Sequence, residues 1–208
     1  RSVPTRRPGE VARRRICRIS RVIETPRGNA LLVGVGGSGK QSLTRLAAFA
    51  AGYKVFTISL MRNYGEKEFR EDLKELYKQL GTDEIVFLFT DAHVAEEGFL
   101  EFINNMLTTG MVPALYEQDE KDGCINSVRK EAKEKGIVET PDSLWNYYVQ
   151  KCRNNMHIVL AMSPSGDKLR IRCRNFPGLI SNAVIDWFFT WPEDALQKVA
   201  EFFLSETP

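Results

Sequence analysis

Histidine is nearly absent from this chain. The two that occur in 208 residues, His93 and His157, each sit at or beside an apolar run, which reads as a structural role and leaves little material for imidazole chemistry. Cysteine is sparse too. Cys17, Cys124, Cys152 and Cys173 show no paired C-x-x-C spacing, so a zinc cage has no framework, and reduced thiols fit better than a disulfide scaffold. No apolar run approaches the roughly twenty residues of a membrane-spanning helix, and the beginning lacks the apolar stretch of a secretory signal. An excess of either charge is also missing, since the net charge is only +2. Its sign is unevenly spread, however. Arg1, Arg6, Arg7, Arg13, Arg14, Arg15, Arg18 and Arg21 crowd the N-terminus against one acid, Glu10. A nucleic-acid arm, a transit-type segment and a solvated extension all fit that pattern. The absence of aromatics to stack on bases favours a solvated arm over residues 1–15.

What is present is enough apolar material, 43% of the residues, for the core of one α/β domain over residues 16–208. The most informative stretch is Gly34-Val35-Gly36-Gly37-Ser38-Gly39-Lys40, two glycines bracketing four residues and then a lysine. It follows the short apolar run Asn29–Val33 and precedes Ser42–Phe49, which has helical periodicity. Strand, glycine-rich turn and helix form the context of a phosphate-binding loop. Glycine lets the backbone come close to a polyphosphate, the helix N-terminus faces the anion, and Lys40 adds a mobile positive charge. Nucleotide, ATP or ADP, is the expected ligand, on Gly34, Val35, Gly36, Gly37, Ser38, Gly39, Lys40, Gln41 and Ser42. The residue after the lysine is normally Ser or Thr, which ligates Mg2+. Here it is Gln41, whose amide oxygen could reach the ion, while Ser42 is turned about 100° away on the helix.

Elsewhere the pattern alternates between strands and helices. Val11 to Glu24 is helical, Tyr53–Leu60 alternates as a strand, and Phe69, Leu73, Leu76 and Leu80 mark a helix closed by Gly81. Ile85–Phe89 reads as a central strand delivering Asp91 at its C-terminal end. A helix follows from Phe99 to Leu107. Residues 116–137 read as a polar insertion or exposed helix, and Thr140-Pro141 as a helix start. Met156–Met162 and Ala183–Phe188 supply two more strands, and Pro192 opens a last helix. These elements predict a five-stranded parallel sheet with helices on both faces.

The stretch Pro26–Leu43, with Gln41 included, resembles the phosphate loop of the fourth AAA+ module of axonemal dynein heavy chains. Phe89–His93 with Gly98–Leu100, Gly110–Leu115, Phe176–Leu179, Asp186–Phe188 and Trp191–Leu196 resemble the same module in the same order. The resemblance implies a P-loop NTPase (AAA+) large subdomain, one piece of a longer motor chain in the cytoplasm and the axoneme of cilia or flagella. It implies neighbouring AAA+ modules as partners, dynein intermediate and light chains at the level of the complex, and microtubules through a stalk outside this chain. No membrane partner is expected. An active module ends the strand before the acid in Asp-Glu, for Mg2+ and for the attacking water. Two registers are open here: Asp91 is the first acid and Ala92 replaces the glutamate, or Asp91 takes the glutamate's place and Thr90 the aspartate's. Asp91 is thus the candidate catalytic residue and, with Gln41, the candidate Mg2+ ligand. Ser163 falls where a γ-phosphate sensor is expected and Asn182 where an arginine finger for a neighbouring site is expected. The module is expected to bind nucleotide and hydrolyse it weakly or not at all. Two other readings remain: a nucleic-acid-stimulated ATPase using the arginine arm, and a kinase with Arg170, Arg172 and Arg174 in its lid.

Overall fold

The structure, a computed structural model, describes residues 8–191 together with 193, 196 and 197. Five parallel strands form one sheet: β1 (Ala30–Gly34), β2 (Lys54–Phe56), β3 (Ile85–Thr90), β4 (Met156–Met162) and β5 (Val184–Phe188), in the spatial order β2-β3-β4-β1-β5. The expected fold class is therefore what the chain adopts.

β3 and β4 are buried along their whole length, and alternation divides each between two apolar layers. Ile85, Phe87 and Phe89 face Phe69, Leu73 and Leu76 of α3 (Glu66–Leu80) and Phe99 and Ile103 of α4 (Phe99–Thr109). Val86 and Leu88 face the opposite layer, with Ile19 and Ile23 of α1 (Pro8–Ile23) and Ala47 and Ala48 of α2 (Lys40–Ala51). Each such Leu, Ile or Phe contributes about 1.5–3 kcal/mol on full burial. The register sets Val33 opposite Met162 and Thr90 opposite Ala161. Consequently the ends of β1, β3 and β4 deliver Gly34, Asp91 and Ser163 to one rim of the sheet.

Several expectations need correction. The boundary drawn between residues 15 and 16 falls inside α1, because Arg15, Ile19 and Ile23 stand one helical turn apart and all three are buried. Residues 1–7 lie outside the described ones. The strand expected over 53–60 shortens to β2, which at the edge of the sheet finds partners only from Ile85 to Phe87. The polar stretch forms α5 (Gln118–Glu134), which is docked rather than merely exposed. Its Ile125 and Ala132 pack on Leu144 of α6 (Pro141–Asn155), and Glu131 accepts hydrogen bonds from Lys151, Tyr147 and Lys135. Those three donors hold the Glu131 carboxyl down at about 2. The start of α6 is as expected, with Thr140 Oγ1 accepting from Ser143 N at 3.2 Å. The last helix expected from Pro192 lies largely outside the described residues.

Candidate functional site

β1 ends at Gly34 because the chain must pass β5 closely there: a Cβ at this position would meet the Phe188 carbonyl oxygen at 2.5 Å. The loop then turns through Gly37 at φ 73° and Gly39 at φ 85°, left-handed values that a side chain would strain by about 1–2 kcal/mol. Around the Cβ positions of Gly36 and Gly37 nothing lies within 4 Å, so these residues border open space. Gly39 caps α2 without a side-chain bond, leaving the first N–H groups of a twelve-residue helix directed at that space. The expected loop residues are thus together. Lys40 Nζ curls back to donate to the carbonyls of Gly34 at 2.5 Å and Val35 at 2.9 Å and to Ser38 Oγ at 3.3 Å. Burial lowers the Lys40 pKa, and the nearby Asp91 charge opposes that effect. Gln41 and Ser42 lie exposed on the first turn of α2.

A residue that sequence reasoning left in the solvated arm completes the loop. Arg15 is only 8% exposed and donates through Nη1 to the Ser38 carbonyl at 3.3 Å and through Nη2 to the Phe189 carbonyl at 3.0 Å. Its guanidinium lies 4.5 Å from the centre of the Phe188 ring and 6.0 Å from that of Trp191, whose indole in turn stands against Gly39. The signal was available: Arg15 precedes Ile19 by one turn on the buried face of α1. Beside it, a groove of about 350 Å³ runs between α1 and the end of β5, lined by Arg14, Arg15, Trp187, Phe189 and Thr190 among others.

At the end of β3 the chain makes a single 3-10 turn, Asp91–His93, in which Thr90 N donates to His93 Nδ1 at 3.1 Å. Burial lowers the His93 pKa. Asp91 uses both oxygens: Oδ2 accepts from Ser163 N at 2.5 Å, and Oδ1 accepts from Arg172 Nη1 at 2.6 Å. Arg172 belongs to α7 (Lys168–Asn175) and turns inward with Leu169 and Phe176, one turn to either side. Its Nη2 and Nε reach Glu97 at 2.6 and 3.1 Å. The bonds from Arg172 hold the Glu97 carboxyl below its ordinary range, and Glu97 in return raises the guanidinium pKa. Next to Asp91, the Thr90 hydroxyl is buried without a hydrogen-bond partner.

The three arginines considered for a kinase lid therefore diverge: Arg170 pairs with Asp167 at 3.2 Å on the surface, Arg172 is buried, and Arg174 is exposed. Asn182 stands at the opposite end of the sheet, where its carbonyl accepts from Asn29 before β1. It takes no part in this rim. A nucleotide phosphate fits the loop. Mg2+ fits poorly, because Gln41 offers an amide oxygen in place of a hydroxyl and both oxygens of Asp91 already accept hydrogen bonds, one of them from a guanidinium.

Comparison with known proteins identifies the family. The chain is 64% identical over 199 residues to the dynein-1-alpha heavy chain of the flagellar inner arm I1 complex of Chlamydomonas reinhardtii, covering 95% of this chain and 4% of that one. It is 57% identical over 195 residues to human dynein axonemal heavy chain 10, covering 93% of this chain and again 4% of the relative. It thus spans about one twenty-fifth of the length of these relatives. Among solved structures, Cdc6p from Pyrobaculum aerophilum aligns over 96% of this chain and 50% of its own, at 14% identity and a TM-score of 0.49, too distant to bear on function. The model of the family described as the P-loop containing dynein motor region D4 matches residues 10–208, and the chain belongs to that family.

Proposed function

We propose that this chain is the nucleotide-binding D4 module of an axonemal dynein motor, holding ATP or ADP at the phosphate loop and hydrolysing it barely or not at all. The observation that carries the reading is the open cradle at Gly36 and Gly37, set at the N-terminus of α2 with Lys40 beside it. Backbone N–H groups, the helix dipole and an ammonium converge where a polyphosphate would lie. The groove between α1 and β5 is contiguous with the loop through Arg15 and is of a size for the base and ribose.

Weak chemistry follows from the same residues. The chain offers one acid, Asp91, where an active site divides the work between two, and that acid is already paired with Arg172. Ser163 approaches Asp91 through its backbone N–H, while its hydroxyl turns to Ser165 at 3.1 Å. A regulatory or structural role for the bound nucleotide accounts for a preserved loop beside a depleted catalytic set. In the cell, the partners would be neighbouring modules of the same heavy chain and the intermediate and light chains of the complex, with microtubules engaged through a stalk outside this chain. The setting would be the axoneme named for the relatives. No helix among the described residues is long and apolar enough to cross a membrane.

Of the arginines on which the nucleic-acid reading rested, Arg15 is turned into the fold and Arg18 pairs with Asp186 at 2.7 Å. Extraction of the nucleotide from the purified chain, followed by its identification, tests the proposal. ATP or ADP at close to one per chain is expected. An empty protein that also fails to take up added nucleotide would refute it.

A further inference from the structure

We infer that Arg172 serves as the resident counter-cation of Asp91, standing where a P-loop site commonly recruits a divalent metal, so that the module holds nucleotide with little dependence on Mg2+. The inference rests on the nucleotide-binding reading above. It begins from a mismatch: the residues at the rim fit phosphate and do not fit the metal.

Asp91 comes off β3 on the same rim as the phosphate loop, near enough for its charge to act on Lys40. A carboxylate there is ordinarily the group that orients the hydration shell of a nucleotide-bound metal. Here both of its oxygens carry short hydrogen bonds, at 2.6 Å from Arg172 and 2.5 Å from the Ser163 amide. The guanidinium is not a passing surface contact. Its side chain is 9% exposed, and Glu97 anchors it from the other side through Nη2 and Nε. A planar guanidinium held by two acids is fixed in place and cannot lose its proton.

Two consequences follow from that arrangement. The charges at the rim, Asp91 and Glu97 against Arg172 and Lys40, already balance before any metal arrives. A divalent cation approaching Asp91 would also meet a fixed positive charge on the very carboxylate it needs. Dislodging Arg172 would leave a buried guanidinium with one acid in place of two, an unfavourable exchange. The other oxygens at hand do not compensate. Gln41 supplies only a neutral amide oxygen on an exposed side chain, and the Thr90 hydroxyl is buried. The N–H groups of α2 stay open to the phosphates, and Lys40 would reach them by turning from the loop carbonyls it now bonds; neither group needs a metal.

The test is to titrate ADP onto the 208-residue chain in excess EDTA and in saturating Mg2+, and to compare the two affinities. For the unchanged chain the two should agree within about threefold, equivalent to less than about 0.7 kcal/mol at about 1.4 kcal/mol per tenfold. Arg172→Gln frees Asp91 and should make binding at least about tenfold tighter in Mg2+ than in EDTA, with bound Mn2+ then visible by electron paramagnetic resonance in the ADP complex. Adding Asp91→Asn to that variant should abolish the gain, whereas Asp91→Asn alone should leave the original ratio unchanged. A purely structural ion pair would alter stability without moving this ratio. Should Arg172→Gln not fold, Asp91→Asn decides by itself: a loss of tenfold or more confined to Mg2+ makes Asp91 a metal ligand and overturns the inference. Tenfold tighter binding of the unchanged chain in Mg2+ also overturns it, while leaving the nucleotide reading intact. No binding in either buffer removes that reading, and this inference with it.

Discussion

Replacing Arg15 by methionine keeps most of the aliphatic stem and removes the guanidinium, and its cost can be worked from three contacts. The Ser38 and Phe189 carbonyls each lose a charged donor, at 3.3 and 3.0 Å, and the Phe188 ring loses a cation 4.5 Å from its centre. Hydrogen bonds to charged groups are worth about 1.5–3 kcal/mol each, and a cation over a ring about 0.5–2 kcal/mol. Against these stands relief from burying a charge, the same effect that lowers the Arg15 pKa and that Asp186 only partly offsets. Taking the lower ends for that reason gives a net loss of about 3 kcal/mol. A domain of 150–250 residues shifts in Tm by about 2–4 °C per kcal/mol, so a fall of about 6–12 °C is expected in a thermal melt. Because the Ser38 carbonyl is part of the loop, ADP affinity should also drop by about tenfold, about 1.4 kcal/mol. Deleting residues 1–15 would remove the first turns of α1 as well and should cost more than Arg15→Met. A variant within about 0.5 kcal/mol of the original in urea and heat, with unchanged ADP binding, would show that α1 does not brace the loop.

Lys40→Ala should weaken ADP and ATP binding by roughly 100-fold, with the far-ultraviolet spectrum unchanged, because it removes the loop's own lysine, the cation placed to meet the phosphates. Equal affinity in a titration would move the site elsewhere. Turnover by the unmodified chain should lie well below the roughly 1 per second that marks the lower end of ordinary enzymes, and a phosphate-release assay reaching that rate would contradict the depleted acid set. Stability should fall as pH drops. Burial lowers the folded-state pKa of His157, whose Nδ1 bonds the Gly28 carbonyl at 3.0 Å. Its contribution is therefore complete above the unfolded value of about 6.5 and is lost as pH falls through the folded value. Urea midpoints between pH 7 and 5 should show a shallower slope for His157→Gln, and an identical slope would exclude His157 as a source of the acid sensitivity.

The parts legible in the sequence were those written in hydropathy. Ile85–Phe89 and Met156–Met162 are apolar on both faces, and only a central parallel strand buries both, so their place in the sheet followed directly. The phosphate loop was legible because its glycines answer a backbone requirement that few other arrangements share. What stayed hidden were arginines working inside the fold. A charged residue reads as solvated until its partners are known, and those of Arg172 lie 81 and 75 residues away in sequence, at Asp91 and Glu97. Arg15 reaches across 174 residues to Phe189. For α5 the difficulty was dilution: Ile125, Val128 and Ala132 anchor it within an otherwise polar helix, and three residues make a weak stripe. The shortening of β2 reflects a limit set by its neighbour, which no reading of residues 53–60 alone contains.

The outer edge of the sheet has a bearing on how the chain behaves at high concentration. β5 is the last strand in the order, and Val184, Ile185 and Trp187 are 57%, 41% and 56% exposed. Sheet edges usually carry a lysine, a proline or an inward charge that discourages a second strand from pairing there. β5 has one charged residue, Asp186, and it is committed to Arg18. Among the described residues the strand is thus left without a gatekeeper, and crowding would favour edge-to-edge association of copies. In handling the chain, solubility would be improved by a lysine at position 184 sooner than by any change to its core.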